Sequence, residues 1–312
     1  MVNIALIGCG RIGQRHLESI LELDNTDFHV QVYDKYVKKE SSMFVDNIED
    51  LCDDIHVCIV ATKSDVRKSV VEELLNKKNI KNLILEKVAF QSVEDFEDVI
   101  ELTNIENVNC YVNCPLRLQP IYEAVGDHLD LTKPTKFIYE YSDDFKISSS
   151  FIHILDLFCY YCNDYDIKIY NELDSVIDSV KHKGFVDFTG ELYVTNSSGH
   201  SLLLKKGKNK FTEVLKVEND NIKIYASEGD DSVDDSDDRL GKVVVNEKDE
   251  YYFPFHWQSY LTLGYIYDLH NFNRCKLPNL NDSFMVHKPM IETFNKFISL
   301  IKKESVTKCP IT

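Results

Sequence analysis

The sequence predicts an α/β domain with a doubly wound parallel sheet, followed by an α+β domain with an open, mostly antiparallel sheet. Short apolar runs alternate with amphipathic segments of helical spacing throughout residues 1–114. Residues 176–226 instead alternate apolar and polar side chains between turn signals, which is typical of antiparallel strands. The chain of 312 residues is long for one core, so we place a domain boundary between residues 1–114 and 115–312.

The first apolar run leads directly into a glycine-rich turn within the segment VNIALIGCGRIGQRH, residues 2–16. An amphipathic run, residues 12–23, follows at once, so the order is strand, turn and helix. This context predicts a dinucleotide-binding Rossmann unit, whose helix would present free N–H groups to the cofactor phosphates. We expect cofactor contacts from Gly8, Gly10, Arg11, Ile12 and Gly13.

Each glycine of the turn has its own physical reason. Gly8 allows the tight turn out of the strand, and Gly10 lets the backbone approach a pyrophosphate without an intervening Cβ. Gly13 lets the helix pack closely against the strand. The alternative is a glycine-rich turn of an α/β domain that binds no nucleotide.

Asp34 ends the next strand, HVQVYD, and could accept hydrogen bonds from the adenosine ribose diol. A carboxylate at this place would repel a 2′-phosphate, so the residue favours NAD over NADP. The neighbouring cation, Lys35, argues in the other direction.

The remaining apolar and amphipathic segments of residues 1–114 complete the alternation. We predict strands at residues 55–62, 82–87 and 108–113, and helices at residues 47–54, 64–80 and 93–104. Ligands of such sheets bind outside the carboxyl ends of the strands. This rule adds Ala61, Thr62, Glu86 and Lys87 to the glycine turn as candidate cofactor-binding residues.

Pro115 interrupts the alternation, and the second part of the chain has a different pattern. We predict a strand at residues 135–141 and helices at residues 117–131, 151–162, 256–272 and 283–303. The acidic run Glu228–Asp238 has almost no apolar content, which indicates a solvated, mobile loop.

Composition excludes several classes of function. The formal net charge of −17 argues against nucleic-acid binding, which needs a basic face. No apolar run has the length of a membrane span and no signal-peptide pattern precedes the first strand, so we expect a cytoplasmic protein that binds no membrane. Nine cysteines, including pairs at 110/114 and 159/162, raise the question of zinc, but neither pair has a partner pair, so we expect buried thiols and no metal.

Four segments together resemble the Gfo/Idh/MocA family of NAD(P)-dependent sugar and polyol oxidoreductases. The most specific are IALIGCGRIGQRH and LILEKVAFQSVEDFEDVI, the second being similar to the EKP signature of the family. VNCPLRLQPIYEAV and FIHILDL resemble the arginine-containing segment and the histidine helix of the family. The resemblance implies hydride transfer between a nicotinamide cofactor and a sugar, polyol or nucleotide-linked sugar. It also implies a homo-oligomer formed through the open sheet.

The resemblance assigns roles residue by residue. Lys87 matches the signature lysine, which contacts the nicotinamide ribose and the substrate and takes part in proton transfer; the alternative is a surface lysine at a strand end. His153 matches the catalytic histidine, also a substrate contact, and Asp156 matches the aspartate one turn later, although a satisfied buried pair would explain both. Arg117 could bind an anionic group of the substrate or form a salt bridge at the domain junction.

Two positions depart from the family pattern. Ser149 stands where an aspartate commonly precedes the histidine by one turn, and Val88 replaces the signature proline. Asp143 or Asp144 could supply the missing carboxylate. The leading hypothesis is therefore an NAD(H)-dependent oxidoreductase. The alternatives are a non-catalytic dinucleotide-binding sensor or scaffold, and an enzyme that reduces an imine or a double bond.

Overall fold

The computed structural model describes residues 2–22, 28–180, 182–229, 240–256 and 258–312, with the backbone alone for residues 258–260. The helices are α1 (Arg11–Glu22), α2 (Ser64–Lys77), α3 (Val93–Ile105), α4 (Pro120–Asp127), α5 (Ile147–Cys162), α6 (Gln258–Phe272) and α7 (Leu280–Lys302). The strands are β1 (Val2–Ile7), β2 (Phe28–Tyr33), β3 (Phe44–Val45), β4 (Asp54–Val60), β5 (Asn79–Glu86), β6 (Asn109–Asn113), β7 (Lys136–Tyr141), β8 (Ile167–Asp178), β9 (Val186–Asn196), β10 (Ser201–Lys206), β11 (Val214–Glu218), β12 (Lys223–Ser227), β13 (Leu240–Val245) and β14 (Asp249–Pro254).

The chain divides into two compact units. The first comprises Met1–Cys114, Trp257–Phe284 and Thr312, and the second comprises Pro115–His256 and Met285–Ile311. Helix α6 therefore packs with the first unit, although it lies far along the chain from the glycine turn. The roles assigned to residues 1–114 and 115–312 stay predictions.

The first unit contains a six-stranded parallel sheet in the order β3-β2-β1-β4-β5-β6. The central strands β1, β4 and β5 are buried along most of their length, which is why they read as continuous apolar runs. Their carboxyl ends carry the glycine turn and the segments beginning at Ala61 and Lys87. The doubly wound sheet confirms the predicted fold class.

One predicted helix of the first unit is wrong. Residues 47–54 form a single 3₁₀ turn at Ile48–Asp50 instead of a two-turn helix. The Asp50 carboxylate accepts a hydrogen bond from the Asn47 backbone N–H at 3.1 Å, and the chain becomes extended again at Leu51. Short polar side chains that bond the local backbone favour such a turn over a continued helix.

The second unit contains an eight-stranded sheet in the order β14-β13-β12-β11-β7-β10-β9-β8. The β7–β10 pair is parallel and the other neighbouring pairs are antiparallel, which confirms the prediction of a mostly antiparallel sheet. Strands β13 and β14 were not predicted, because they follow the acidic run and β14 is largely exposed and polar at its start. The predicted helix at 117–131 is a 3₁₀ turn, Pro115–Leu118, followed by the shorter α4, since Gln119 before Pro120 is extended.

The expected solvated loop does not begin at Glu228. This side chain accepts a hydrogen bond from the Tyr139 hydroxyl at 3.0 Å and another from Tyr122. Burial, together with the nearby Glu213 carboxylate, raises the pKa of Glu228 well above its ordinary value. Residues 230–238 of the acidic run lie outside the described residues.

Within the described residues, no helix is both long and apolar enough to cross a membrane. The cysteines are free thiols; Cys110, Cys114 and Cys159 are buried and Cys162 is half-buried. In the same described ranges, no group of three or more His, Cys, Asp or Glu side chains could hold a metal ion.

Candidate functional site

The glycine turn connects the end of β1 to the start of α1 and admits side chains at only one of its three glycines. Gly8 has φ +91°, and a Cβ there would lie 3.0 Å from the Ala61 carbonyl carbon. A Cβ on Gly13 would lie 2.0 Å from the Gly8 carbonyl oxygen. A Cβ on Gly10 meets no described atom within 4 Å. Gly8 and Gly13 are thus required by the fold, whereas Gly10 borders open space.

This difference predicts opposite outcomes for two alanine variants. Gly13→Ala should lower the melting temperature and abolish NADH binding, because the Cβ cannot be placed without moving the turn. Gly10→Ala should keep the wild-type melting temperature but weaken NADH binding about tenfold or more, because only a bound pyrophosphate would meet the new methyl group. Thermal unfolding and NADH fluorescence titration measure both effects. Equal NADH affinity in Gly10→Ala and wild type would contradict the assignment of Gly10.

Asp34 follows β2, and the backbone holds its half-buried carboxylate in place. One oxygen, Oδ2, accepts a hydrogen bond from the Cys9 N–H at 2.6 Å. The other, Oδ1, accepts hydrogen bonds from the N–H groups of Tyr36 at 2.7 Å and Val37 at 2.8 Å. Oδ2 keeps acceptor capacity for a further donor. The structure therefore holds a carboxylate directly beside the glycine turn.

Ala61 and Thr62 follow β4 on the other side of the glycine turn. The Ala61 N–H donates to the Ile7 carbonyl at 2.7 Å, which ties this segment to the end of β1. The Thr62 hydroxyl is buried and has no hydrogen-bond partner in the part of the chain that the structure describes. A buried hydroxyl without a partner is costly, so this atom suits a ligand.

Glu86 is the last residue of β5, and its carboxylate is buried. Its Oε1 lies 2.8 Å from Nε2 of His16 and accepts a hydrogen bond from Nδ2 of Asn113 at 2.5 Å. Burial by itself would raise the pKa of Glu86, but the hydrogen bonds from His16 and Asn113 outweigh this effect and lower the pKa to about 2. Glu86 is therefore ionised at neutral pH and is directed into the interior of the first unit.

Lys87 is half-buried at the carboxyl end of the sheet, and its peptide bond to Val88 is cis. Burial lowers the pKa of Lys87 below the ordinary lysine value, and the Glu86 carboxylate offsets part of this shift. A lysine with a lowered pKa can accept a proton nearer to neutral pH than an exposed lysine can.

Arg67 is a further residue of this region, and the sequence analysis did not identify it. Its buried guanidinium donates to the backbone carbonyls of Glu86 at 2.5 Å and Ala89 at 2.8 Å, and also to those of Val88 and Thr62. It thereby joins the loops that follow β4 and β5. Its position could have been predicted to be buried, because it lies four and seven residues before Val71 and Leu74 on the buried face of α2.

The second unit contains the other predicted site residues. Arg117 donates to both carboxylate oxygens of Asp156, from Nε at 2.8 Å and from Nη2 at 2.5 Å, and both residues are buried. The Tyr160 ring centroid lies 4.4 Å from the Arg117 guanidinium carbon. Arg117 thus forms a bidentate ion pair, and the roles of both residues in substrate binding or catalysis stay predictions.

His153 is half-buried on α5, one turn before Asp156. Ser149 lies one turn before His153 and is also half-buried, while the preceding Ser148 N–H donates to the buried Asp187 carboxylate at 2.8 Å. Asp143 is exposed and lies 2.7 Å from the Lys206 ammonium, which satisfies its charge at the surface. The catalytic role of His153 stays a prediction.

Comparison with known proteins finds one matching family model and several solved structures of similar fold. Residues 2–114 match the model of the oxidoreductase family with an NAD-binding Rossmann fold. The description of this family model is GFO_IDH_MocA, and the match spans 113 of the 312 residues. The family match covers the glycine turn, Asp34 and Lys87. No curated protein matches the chain by sequence.

Solved structures resemble the chain over nearly its whole length. A dehydrogenase from Clostridium difficile is 15% identical, with 96% of this chain and 99% of that chain covered and a TM-score of 0.67. A 3-ketoreductase from Actinomadura kijaniata, in complex with NADP and TDP-benzene, is 12% identical, with 94% and 96% covered and a TM-score of 0.67. The super-repressor mutant of Gal80p from Saccharomyces cerevisiae is 15% identical, with 98% and 97% covered and a TM-score of 0.66. At these identities, the likeness establishes a shared fold with these three proteins.

Proposed function

We propose that the protein is an NAD(H)-dependent oxidoreductase that transfers a hydride between the cofactor and a sugar, polyol or nucleotide-linked sugar. The observation that carries the proposal is the glycine turn, open at Gly10, with an anchored carboxylate on one side. On the other side lies the buried Thr62 hydroxyl, which has no hydrogen-bond partner among the described residues. Lys87 follows the strand next to the Thr62 segment in the same unit. The match of residues 2–114 to the family model of NAD-binding oxidoreductases supports the proposal.

These residues fit a nicotinamide dinucleotide. The turn residues Gly8–Gly13 would hold the pyrophosphate, Asp34 the adenosine ribose, and Ala61, Thr62, Glu86 and Lys87 the nicotinamide half. When bound, the nicotinamide supplies the hydride acceptor or donor. We propose that the cofactor is NAD rather than NADP, because Asp34 would repel a 2′-phosphate.

The protein would supply the proton chemistry. Oxidation of a carbinol requires a base for the hydroxyl proton, and the lowered pKa of Lys87 suits this task. We assign the second proton-transfer role to His153, with Asp156 as the carboxylate that follows it on α5. Because Arg117 engages both oxygens of Asp156, that carboxylate would act through the arrangement of α5 rather than as a base.

The cofactor preference is testable by itself. NADH should bind at least about tenfold more tightly than NADPH, since Asp34 would lie against the 2′-phosphate. Asp34→Asn should reduce the ratio of the NADPH Kd to the NADH Kd by about tenfold, because it removes the negative charge. Parallel fluorescence titrations measure the ratio, with Asp46→Asn as a control for an exposed acid of the same unit. Tighter binding of NADPH to the wild type would refute the role of Asp34.

The substrate class is supported by the neighbour solved with TDP-benzene, which is a 3-ketoreductase. We therefore include nucleotide-linked sugars in the proposed substrates. The test is turnover of NADH or NAD with a panel of sugars, polyols and nucleotide-linked sugars and their keto forms. Turnover of a panel member by the wild type supports the proposal.

A second candidate function is that of a non-catalytic dinucleotide-binding sensor or scaffold. Two observations favour it: Ser149 carries no carboxylate one turn before His153, and Asp156 is held by Arg117. The likeness to a repressor mutant supports the same reading. If the protein binds NADH but turns over no panel member, and Lys87→Ala leaves its cellular role intact, this function replaces the enzyme.

We also propose that the open sheet forms a homo-oligomer. One cross-strand row runs over β8 to β14 and is partly or fully exposed along its length; its members are Tyr170, Tyr193, Leu203, Ile138, Lys216, Tyr225, Val244 and Glu250. An exposed row of this kind, apolar at most positions, is typical of a surface that binds another chain.

Charge on this row should separate the subunits. Tyr193→Glu combined with Tyr225→Glu should reduce the molar mass measured by light scattering to that of one chain, because the carboxylates cannot be buried unpaired. Tyr267→Glu on α6 changes an equally exposed tyrosine of the other unit and should leave the mass unchanged. A wild-type protein with the mass of one chain would contradict this proposal.

A further inference from the structure

A continuous chain of buried polar side chains lies behind Lys87 in the first unit. The Tyr265 hydroxyl lies 3.4 Å from Thr262 Oγ1, which lies 2.8 Å from His16 Nδ1. His16 Nε2 lies 2.8 Å from Glu86 Oε1, and Glu86 directly precedes Lys87. We call Thr262, His16 and Glu86 the relay. It connects α6 and α1 to the end of β5.

The donor inventory gives the relay a direction. An ionised Glu86 only accepts hydrogen bonds, so His16 Nε2 must carry the proton. In a neutral imidazole, Nδ1 then accepts from the Thr262 hydroxyl, whose oxygen can in turn accept from Tyr265. In that tautomer, each donor points along the chain toward the Glu86 carboxylate.

The same loop is held a second time through its backbone. Arg67 donates to the carbonyls of Glu86, Val88 and Ala89. It therefore binds the backbone both immediately before and immediately after Lys87. Glu86 is also in register with Asn113 of β6, which donates to its carboxylate. The Glu86 side chain and the backbone on both sides of Lys87 are thus held by hydrogen bonds. These neighbours therefore determine the orientation of the Lys87 backbone at the end of β5.

We propose that His16 is a positioning residue for Lys87: with Nδ1 against the Thr262 hydroxyl and Nε2 donating to Glu86, it holds the Glu86 carboxylate directed away from solvent behind the reactive lysine. The inference rests on the proposed function of Lys87. It assigns a role to the histidine that follows the glycine turn and to Thr262 of α6, neither of which contacts the reacting atoms in this proposal.

A labelling experiment tests the inference without turnover. The pH dependence of acetylation of Lys87 by acetic anhydride, followed by mass spectrometry, gives the titration midpoint of its amine. The groups that act on this amine are Glu86, Cys114 and Arg67. In His16→Ala the Glu86 carboxylate stays ionised where Lys87 titrates but has lost a donor, so it interacts more strongly with the Lys87 ammonium, and the Lys87 midpoint should rise by about 0.5 to 1 pH unit. Exposed Lys81 is the internal reference.

Three further variants keep the experiment decisive if His16→Ala does not fold. His16→Gln retains an N–H that can reach Glu86, so its midpoint should stay near that of the wild type. Thr262→Val removes the hydroxyl that lies against His16 Nδ1 at nearly constant volume. It should shift the midpoint in the same direction as His16→Ala, but by less. Thr103→Val removes a buried hydroxyl that donates within α3 and should shift nothing. An unchanged or lowered midpoint in both His16→Ala and Thr262→Val, or an equal shift in Thr103→Val, would overturn the inference.

Kinetics distinguish failure of the inference from failure of the proposed function. If the protein turns over a substrate, His16→Ala should lower kcat about tenfold or more at a nearly constant Kd for NADH, with partial rescue in His16→Gln. If no substrate is turned over, the labelling result still decides the inference. If the Lys87 midpoint shifts as predicted but no substrate is turned over, the positioning role of His16 is supported and the proposed enzymatic function is rejected.

Discussion

Lys87→Met should lower kcat/KM by about a thousandfold, because general acid–base catalysis contributes about 10²- to 10⁴-fold in enzymes. The methionine keeps the length and much of the volume of the side chain but cannot exchange a proton. The Kd for NADH should change less than about threefold, since the turn and Asp34 would provide most of the binding energy. Lys81→Met, on the exposed side of the same strand, is the matched control and should behave like the wild type.

The pH profile gives this prediction a second readout. In the oxidative direction the neutral amine is the base, so the rate should rise as pH passes upward through the Lys87 pKa. Burial lowers that pKa, so the rise should occur below the range of an ordinary lysine. The rise should vanish in Lys87→Met. A variant that keeps both rate and pH profile would show that Lys87 takes no part in proton transfer.

Asp156→Ala should destabilise the protein by about 3–5 kcal/mol, because it leaves the Arg117 guanidinium buried without its counter-ion. Urea unfolding followed by circular dichroism measures the loss. The double variant Arg117→Met with Asp156→Leu should recover most of it, since replacing both buried charges by apolar groups is often close to neutral. Removing Asp220, the partner of Lys133 in an exposed pair at 3.6 Å, should cost about 0–1 kcal/mol.

The same variants separate the two roles considered for Arg117. If the arginine only maintains the fold, the double variant should regain turnover together with stability. If it binds an anionic substrate group, turnover should stay low while stability returns. Equal stability of Asp156→Ala and the wild type would contradict the strength assigned to this buried pair.

Local sequence was sufficient to predict the elements that have a clear periodicity or motif of their own. The glycine turn, the buried parallel strands and the mostly antiparallel second sheet each have a period or a spacing that needs no distant partner. The two-turn helix at 47–54 failed because Asn47 and Asp50 bond the local backbone. Strand β13, LGKVVV, was missed because its short apolar run follows the acidic segment, and β14 was missed because it begins with two acidic residues.

The connections of the candidate site depend on residues that are far apart in sequence. His16 and Thr262 are 246 positions apart, and Arg117 and Asp156 are 39 apart. A single sequence shows that each such side chain is costly to bury, but it does not identify the partner. The burial of Arg67 was foreseeable from its helix face, whereas its carbonyl partners were not.

Hydride transfer itself is the most direct test of the proposed function. The purified protein is incubated with NADH that carries deuterium at both C4 positions and a panel of keto sugars and nucleotide-linked keto sugars, and the products are analysed by mass spectrometry. We predict one deuterium on the carbinol carbon of at least one product, and its loss in Lys87→Met. Saturable NADH binding with no deuterium in any product would contradict the enzyme and favour the dinucleotide-binding sensor or scaffold.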